Sequence, residues 1–291
     1  MVYNVEDLIQ PEDTGSRKPS VRKMVTAGGL VLLLALLLAF GYYQNNHLIV
    51  SDINLVNDRT GTMRIVHLSD LHSKQFGREN SRLLERILDL NPDLIVFSGD
   101  MIDDSRRNLN ETVDFIDKLN RQVPVVCVAG NHELRSNMID ELRPMFLERG
   151  IVLLENEIYT LAINDSRVNI LGMSVLSEGF LYEQDAAILF SQLSELQGLR
   201  VVLSHYPEHY SLAGSASYNQ FDFDLMFSGH AHGGQFSLPF IGGIYAPGQG
   251  FGPKYYKGLY DDRLIVSAGL GNSVVPLRLF NYPQIIVVQI N

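Results

Sequence analysis

Apolar residues fall into two regimes along the chain. Between residues 25 and 43 no charge interrupts them, and residues 30–40 are almost wholly Leu, Val and Ala. About twenty apolar residues in a helix span a bilayer, so this stretch predicts one crossing. Tyr42 and Tyr43 stand where interfacial aromatics belong. From about residue 48 the apolar runs become short and alternate in period. Strands are predicted at 64–69, 94–98 and 125–129, each followed by a helix. The first helix starts near Ser81 and aligns Leu83, Leu84, Ile87 and Leu88 on one face; the next two cover 109–121 and 138–149. Strands then dominate, at 151–154, 157–163, 167–173, 201–204, 224–228, 264–268 and 284–290, with one helix over 185–196. No internal repeat appears, and one α/β domain over 44–291 is the simplest organisation.

The flanks of the long apolar stretch decide its meaning. A cleaved signal peptide has a shorter apolar core and small residues at its cleavage point, whereas Phe40-Gly41-Tyr42-Tyr43 offers no clear site. A buried core helix would show a polar face, and this stretch shows none. A retained transmembrane anchor at 24–43 fits better than either. Arg17, Lys18, Arg22 and Lys23 precede it, and no Lys or Arg occurs between Gln44 and Asp58. The positive-inside rule then makes 1–23 a cytoplasmic tail and places the rest outside, in a cell membrane protein with an extracytoplasmic domain. Gln44-Asn45-Asn46 reads as a linker.

Composition narrows the function classes. With 46% hydrophobic and 19% charged residues the chain can bury a sizeable core, which argues against disorder. A net charge of -10 repels polyanions, so a nucleic-acid partner is not expected. A small phosphate substrate stays open, because bound divalent ions reverse the local field. Cys127 is the only cysteine and sits in the run 125–128, so it reads as a buried thiol; an intramolecular disulfide and a cysteine zinc site are both excluded.

Five predicted strands end alike, each followed at once by metal-capable side chains: Ser69-Asp70-Leu71-His72, Ser98-Gly99-Asp100, Gly130-Asn131-His132-Glu133, Ser204-His205 and Gly229-His230-Ala231-His232. Sites in α/β sheets form at the carboxyl ends of strands, where loops distant in sequence converge. Mixed oxygen and nitrogen donors suit manganese, iron or zinc better than calcium. The glycines at 99, 130 and 229 let the backbone turn or approach a neighbour closely.

In this order the motifs, with Gly233-Gly234-Gln235 completing the last, resemble the calcineurin-like metallophosphoesterase superfamily over about residues 63–236. Leu238-Pro239, Gly242-Gly243, Lys257-Gly258-Leu259-Tyr260, Gly269-Leu270-Gly271 and Pro276-Leu277-Arg278 resemble a bacterial, often membrane-associated branch of it. The resemblance implies a four-layer αββα sandwich of two mixed sheets flanked by helices. It implies two divalent ions, one held by Asp70, His72 and His232, the other by Asn131, His205 and His230, with Asp100 bridging. It also implies that His132 contacts the phosphate and assists the leaving group. The expected activity is hydrolysis of a phosphodiester or pyrophosphate by metal-activated water, with a lipid-linked or cell-envelope substrate suggested by the anchor. A phosphomonoesterase, a nuclease and a non-catalytic metal-binding scaffold are the alternatives.

The remaining candidates are weaker. Glu133 reads either as a supporting carboxylate or as an exposed loop acid, and Gln235 as a possible substrate contact. His67 within the strand 64–69 reads as a packed or supporting histidine, His209 as a non-ligand at the site rim, and His47 as interfacial. Asp103 and Asp104 read as a solvated loop. Phe251, Tyr255 and Tyr256, in a Gly/Pro-rich segment, read as a wall for an apolar substrate portion.

Overall fold

The computed structural model describes residues 21–104, 108–174, 183–211, 217–272 and 277–291. Residues 1–20 of the expected tail, Arg17 and Lys18 among them, and Pro276 of the branch motif lie outside them. The chain divides into two compact units, Met1–Phe40 and Gly41–Asn291.

The first unit contributes most of helix α1, Val21–Asn46, whose segment Gly28–Asn46 is long and apolar enough to cross a membrane (19 residues, mean hydropathy 1.5). The helix outruns the expected 24–43 at both ends, and the expected linker is instead its final turn. Side chains explain this: Asn45 Nδ2 and Asn46 Nδ2 donate to the carbonyls of Gly41 and Tyr42, four residues back. Gln44 Nε2 meanwhile donates to the Tyr282 hydroxyl at 3.2 Å, tying that turn to the second unit, to which it belongs.

The second unit holds two six-stranded sheets. The first contains β1 (Ile49–Leu55), β2 (Met63–Leu68), β3 (Leu94–Phe97), β4 (Val125–Val128) and β5 (Val152–Leu154), with the last strand of the chain, Gln284–Ile290, between β1 and β2. The second contains β6 (Glu157–Ile163), β7 (Ser166–Met173), β8 (Leu199–Ser204) and β9 (Leu225–Ser228). Two short hairpins follow: β10 (Ser237–Leu238) with β11 (Gly242–Gly243), and β12 (Tyr245–Ala246) with β13 (Gly250–Phe251). Then β14 (Gly258–Tyr260) and β15 (Leu264–Val266) complete the second sheet, and Gln284–Ile290 is β16. Both sheets are mixed: β2, β3, β4 and β5 run parallel, as do β7, β8, β9 and β15, whereas the β16–β2, β6–β7 and β14–β15 pairs are antiparallel. Strand β1 was not expected, because its residues are only half buried at the sheet edge and its partner, β16, is the far end of the chain.

Strand periodicity builds the layers. In β3, Leu94 and Val96 join Val126, Val201, Leu203, Phe227 and Ile286 in the core between the sheets. Ile95 and Phe97 point the other way, into a core covered by α2 (Ser81–Leu88), α3 (Leu109–Asn120) and α5 (Ile139–Glu148). Across the second sheet, Val202 and Met226 pack under Phe190 and Leu193 of α6 (Glu183–Ser194). A short α4 (Asn131–Arg135) follows β4. The result is the expected αββα order. Cys127 lies buried in the first outer core, where burial pushes its thiol well above the ordinary range.

Candidate metal centre

The expected ligands converge at the carboxyl ends of β2, β3, β4, β8 and β9, where the two sheets face each other. Asp70, His72, Asp100 and His232 form one cluster of ligand atoms within 4.8 Å, and Asp100, His205 and His230 a second. His72 Nε2 stands 3.2 Å from His232 Nε2 and 3.6 Å from Asp100 Oδ2. His205 Nε2 stands 3.3 Å from Asp100 Oδ2, 3.1 Å from Asn131 Oδ1 and 3.2 Å from His230 Nδ1. His232 Nε2 lies 3.5 Å from Asp70 Oδ1. Asp100 is thus the one carboxylate common to both clusters.

Local backbone geometry places these side chains. Asp70, His72, Asp100, His230 and His232 all have φ between 46° and 64°. Non-glycine residues there cost energy and persist where the surroundings over-determine them, as in binding sites. The surroundings here are cross-loop bonds: Asp70 N donates to Gly99 O and His72 N to Asp100 O. His230 N donates to the Asp70 carboxylate at 3.0 Å, which links the two sheets. Two glycines permit the close approach. A Cβ at Gly130 would lie 2.2 Å from Asp100 Oδ1, and one at Gly229 would lie 1.8 Å from Ser69 Oγ.

The donor set fits a cation. His205 Nδ1 lies 2.8 Å from the Ser98 carbonyl, which can only accept, so Nδ1 carries a proton. Its Nε2 then faces two oxygens, and only a proton or a metal ion satisfies that arrangement. Burial, the largest single influence, lowers the His205 pKa, but the Asp100 carboxylate beside it, Asp70 and the Ser98 carbonyl together outweigh burial and carry it up to about 10. Burial also lowers His72, to about 4, and takes His230 and His232 well below the ordinary value. These three are therefore neutral, the ligating form of imidazole. Burial pushes Asp70 up to about 6, and Asp100 beside it adds to the rise. A divalent cation held at these ligands would favour the ionised form of both buried carboxylates.

His132 does not belong to either cluster. Its Nε2 stands 3.9 Å from Asp100 Oδ2, its ring sits edge-on to His72, and its backbone N donates to Asp100 Oδ1 at 2.9 Å. Its other nitrogen, Nδ1, lies 2.8 Å from Asp104 Oδ1, and Arg135 Nη2 lies 3.4 Å from Asp104 and 3.3 Å from His132 Nε2. Asp104 is exposed, as expected of a solvated loop, and in addition pairs with His132. Arg135 was missed, although one turn from His132 along α4 it shares a face.

Glu133 is a buried supporting carboxylate, not an exposed loop acid. It accepts the backbone N–H groups of Asp100 (3.0 Å), Gly130 (2.7 Å) and Ile102 (2.8 Å), clamping two ligand loops together. Burial, then Asp100, pushes its pKa up to about 7, against the pull of those bonds. Glu133→Gln turns one acceptor into a donor facing an N–H group. Supporting partners of this kind typically contribute 10–100-fold to metal affinity, so titration of the variant is expected to show Mn²⁺ binding weakened by about that factor.

The other candidates separate. His67 bonds Ser98 Oγ at 2.8 Å and packs edge-on to Phe227, and burial lowers its pKa to about 3. His209 is buried beside Tyr206, whose ring meets His230 edge-on. His47 stacks on Tyr43. Gln235 Nε2 donates to the Leu277 carbonyl at 3.2 Å. The expected wall does not form as a unit: Tyr255 is buried between Tyr210 and Tyr260, Tyr256 is half buried against Gly242 and Gly243, and Phe251 alone is exposed.

The chain matches the calcineurin-like phosphoesterase family over residues 63–234. It is 31% identical to the uncharacterized metallophosphoesterase YkuE of Bacillus subtilis over 77% of each chain. It is 26% identical to the phosphodiesterase YaeI of Escherichia coli, over 80% of this chain and 84% of that one. It is 27% identical to the UDP-2,3-diacylglucosamine pyrophosphatase LpxG of Chlamydia muridarum, over 78% and 83%. The chain belongs to the calcineurin-like phosphoesterase family and is a hydrolase acting on phosphate esters.

Proposed function

We propose that this calcineurin-like phosphoesterase hydrolyses a phosphodiester or pyrophosphate at a dinuclear centre, acting on a lipid-linked or cell-envelope substrate. The observation that carries the dinuclear reading is the single Asp100 carboxylate shared by two buried ligand clusters. In this reading Asp70, His72 and His232 would hold one ion and Asn131, His205 and His230 the other, with Asp100 available to both. Two divalent ions there would supply an activated water and Lewis-acid stabilisation of the phosphoryl oxygens.

The chain's own residues do the rest. His132, at the edge of the clusters, presents its Nε2 side toward the leaving oxygen, while Asp104 beside Nδ1 orients the ring. Arg135, 3.3 Å from that nitrogen, is placed to bind a phosphoryl oxygen. Burial of the ligands keeps their dipoles fixed as charge develops. The names of YaeI and LpxG support diester or pyrophosphate cleavage, and the latter a lipid-linked phosphate. The apolar segment Gly28–Asn46 and the basic residues before it support residues 1–23 as a cytoplasmic tail, 24–43 as the anchor and 44–291 outside the membrane.

The test uses the full-length protein in detergent, with Mn²⁺ and either bis(p-nitrophenyl) phosphate or p-nitrophenyl phosphate. Expected is turnover abolished by chelation and restored by Mn²⁺, faster for the diester. Full metal occupancy with no turnover of either ester would favour the scaffold reading.

A further inference from the structure

The chain carries 33 Asp and Glu, yet has none between Asp224 and Asp261, where its only Lys or Arg residues are Lys254 and Lys257. This acid-free stretch begins at β9, supplies His230 and His232, and continues into the two small hairpins. The hairpins expose large apolar side chains. At the β10–β11 tip Phe240 is fully exposed at φ 68°, and Ile241 is 71% exposed. On β13, Phe251 is 84% exposed and, among the described residues, meets the ring of its cross-strand partner Tyr245 edge-on at 5.4 Å. Exposed apolar clusters with basic neighbours mark interaction surfaces rather than ordinary solvated loops.

The hairpins are joined on one side to the metal centre. Ile244 N donates to Gly234 O and Phe236 O, and a Cβ at Gly234 would lie 2.3 Å from Gly243 Cα, so the strands rest against the turn that aims His232. The same turn also leads, through Gln235 and Leu277, to the C-terminal end of the apolar helix. Gln235 donates to the Leu277 carbonyl, and Leu277 Cδ1 lies 3.4 Å from where a Cβ at Gly41 would be. Asn272 Nδ2 donates to Asn45 Oδ1 at 3.0 Å, and Lys74 Nζ to the Asn45 carbonyl. Tyr42 and Tyr43 belong to the same turn, at the position of an interfacial aromatic belt. A continuous run of contacts therefore leads from the end of the anchor to the turn of His232 and on to the hairpins.

We propose that the two hairpins form a rim that dips into the lipid surface from which the chain emerges. Phe240, Ile241 and Phe251 enter the acyl boundary, and Lys254 faces anionic headgroups. The metal centre, next to the rim, then receives phosphate esters whose apolar part stays in the bilayer. The substrate clause rests on the phosphoesterase reading above; the insertion clause stands on the surface alone. Apolar side chains flanked by basic ones are the composition that binds anionic bilayers at the interface.

The chain has no tryptophan, so one introduced Trp reports unambiguously. Full-length Phe240→Trp, Phe251→Trp and, as control, Leu147→Trp are reconstituted in phosphatidylglycerol vesicles containing brominated acyl chains; Leu147 is 80% exposed on α5. Expected is blue-shifted, bromolipid-quenched emission from positions 240 and 251 and unquenched emission from 147. Quenching at 240 and 251 no greater than at 147 overturns the proposal. A blue shift without quenching also overturns it, assigning the rim to a protein contact. A second arm compares turnover of a vesicle-embedded phosphatidyl diester with that of bis(p-nitrophenyl) phosphate. In Phe240→Ser/Phe251→Ser the ratio is expected to fall about tenfold, and an unchanged ratio overturns the substrate clause. Quenching with no turnover of either ester by the parent protein would count against the phosphoesterase reading alone.

Discussion

Asp100→Ala is expected to lose both bound metal and turnover, with kcat/KM falling about 10³-fold or more, roughly 4 kcal/mol of transition-state stabilisation. The reason is geometric. Asp100 Oδ2 faces His72, His205 and His132 at 3.6, 3.3 and 3.9 Å, and its other oxygen accepts the His132 backbone N–H. Without it, two groups of imidazoles face each other with no shared negative charge. The backbone at Asp100 also has φ 52°, which Asp tolerates better than Ala. Asp100→Asn serves as the paired variant, because it keeps shape and backbone preference and removes only the charge. Elemental analysis alongside kinetics reads both effects. A variant that kept two ions and turned over within tenfold of the parent would rule out the shared-ligand role.

His132→Ala has the second largest expected effect and a different signature. His132 sits outside both clusters, so metal content is expected to stay near that of the parent while kcat falls about 10²–10⁴-fold, the range of general acid catalysis. The loss depends on the leaving group. A p-nitrophenolate leaves readily without a proton, whereas an alkoxide does not, so the variant should lose more on alkyl esters than on chromogenic ones. An equal loss on both classes would assign His132 to phosphate binding rather than to proton donation.

Much of this centre was legible in the sequence because strand ends are. Runs such as 94–97 and 125–128 stop abruptly, and the residues that follow are Asp, Asn and His in an order that a resemblance could decode. Their convergence needed only the rule that loops after parallel strands share one edge. What escaped depended on tertiary partners. Strand β1 is half buried at an edge, and its pairing with β16 spans the whole domain. Asp104 lies on a loop with no periodic pattern, and only the fold brings it to His132. Glu133 could be read two ways, because its burial comes from the Asp100 loop, about 30 residues earlier in the chain. Tyr255 and Phe251 look alike in a Gly/Pro-rich segment, yet the second sheet buries the first and the hairpin exposes the second. The final turn of α1 was taken for a linker because Asn45 and Asn46 are poor helix formers in general; here each caps a carbonyl four residues back.

The central claim is that one chain binds two divalent ions through a common aspartate. Titrating the metal-free, full-length protein with Mn²⁺ while recording its electron paramagnetic resonance spectrum tests it most directly. Two equivalents bound, with a spin-coupled signal that disappears in Asp100→Asn, is the predicted result. A single equivalent, or two ions with independent spectra unaffected by that substitution, would contradict it.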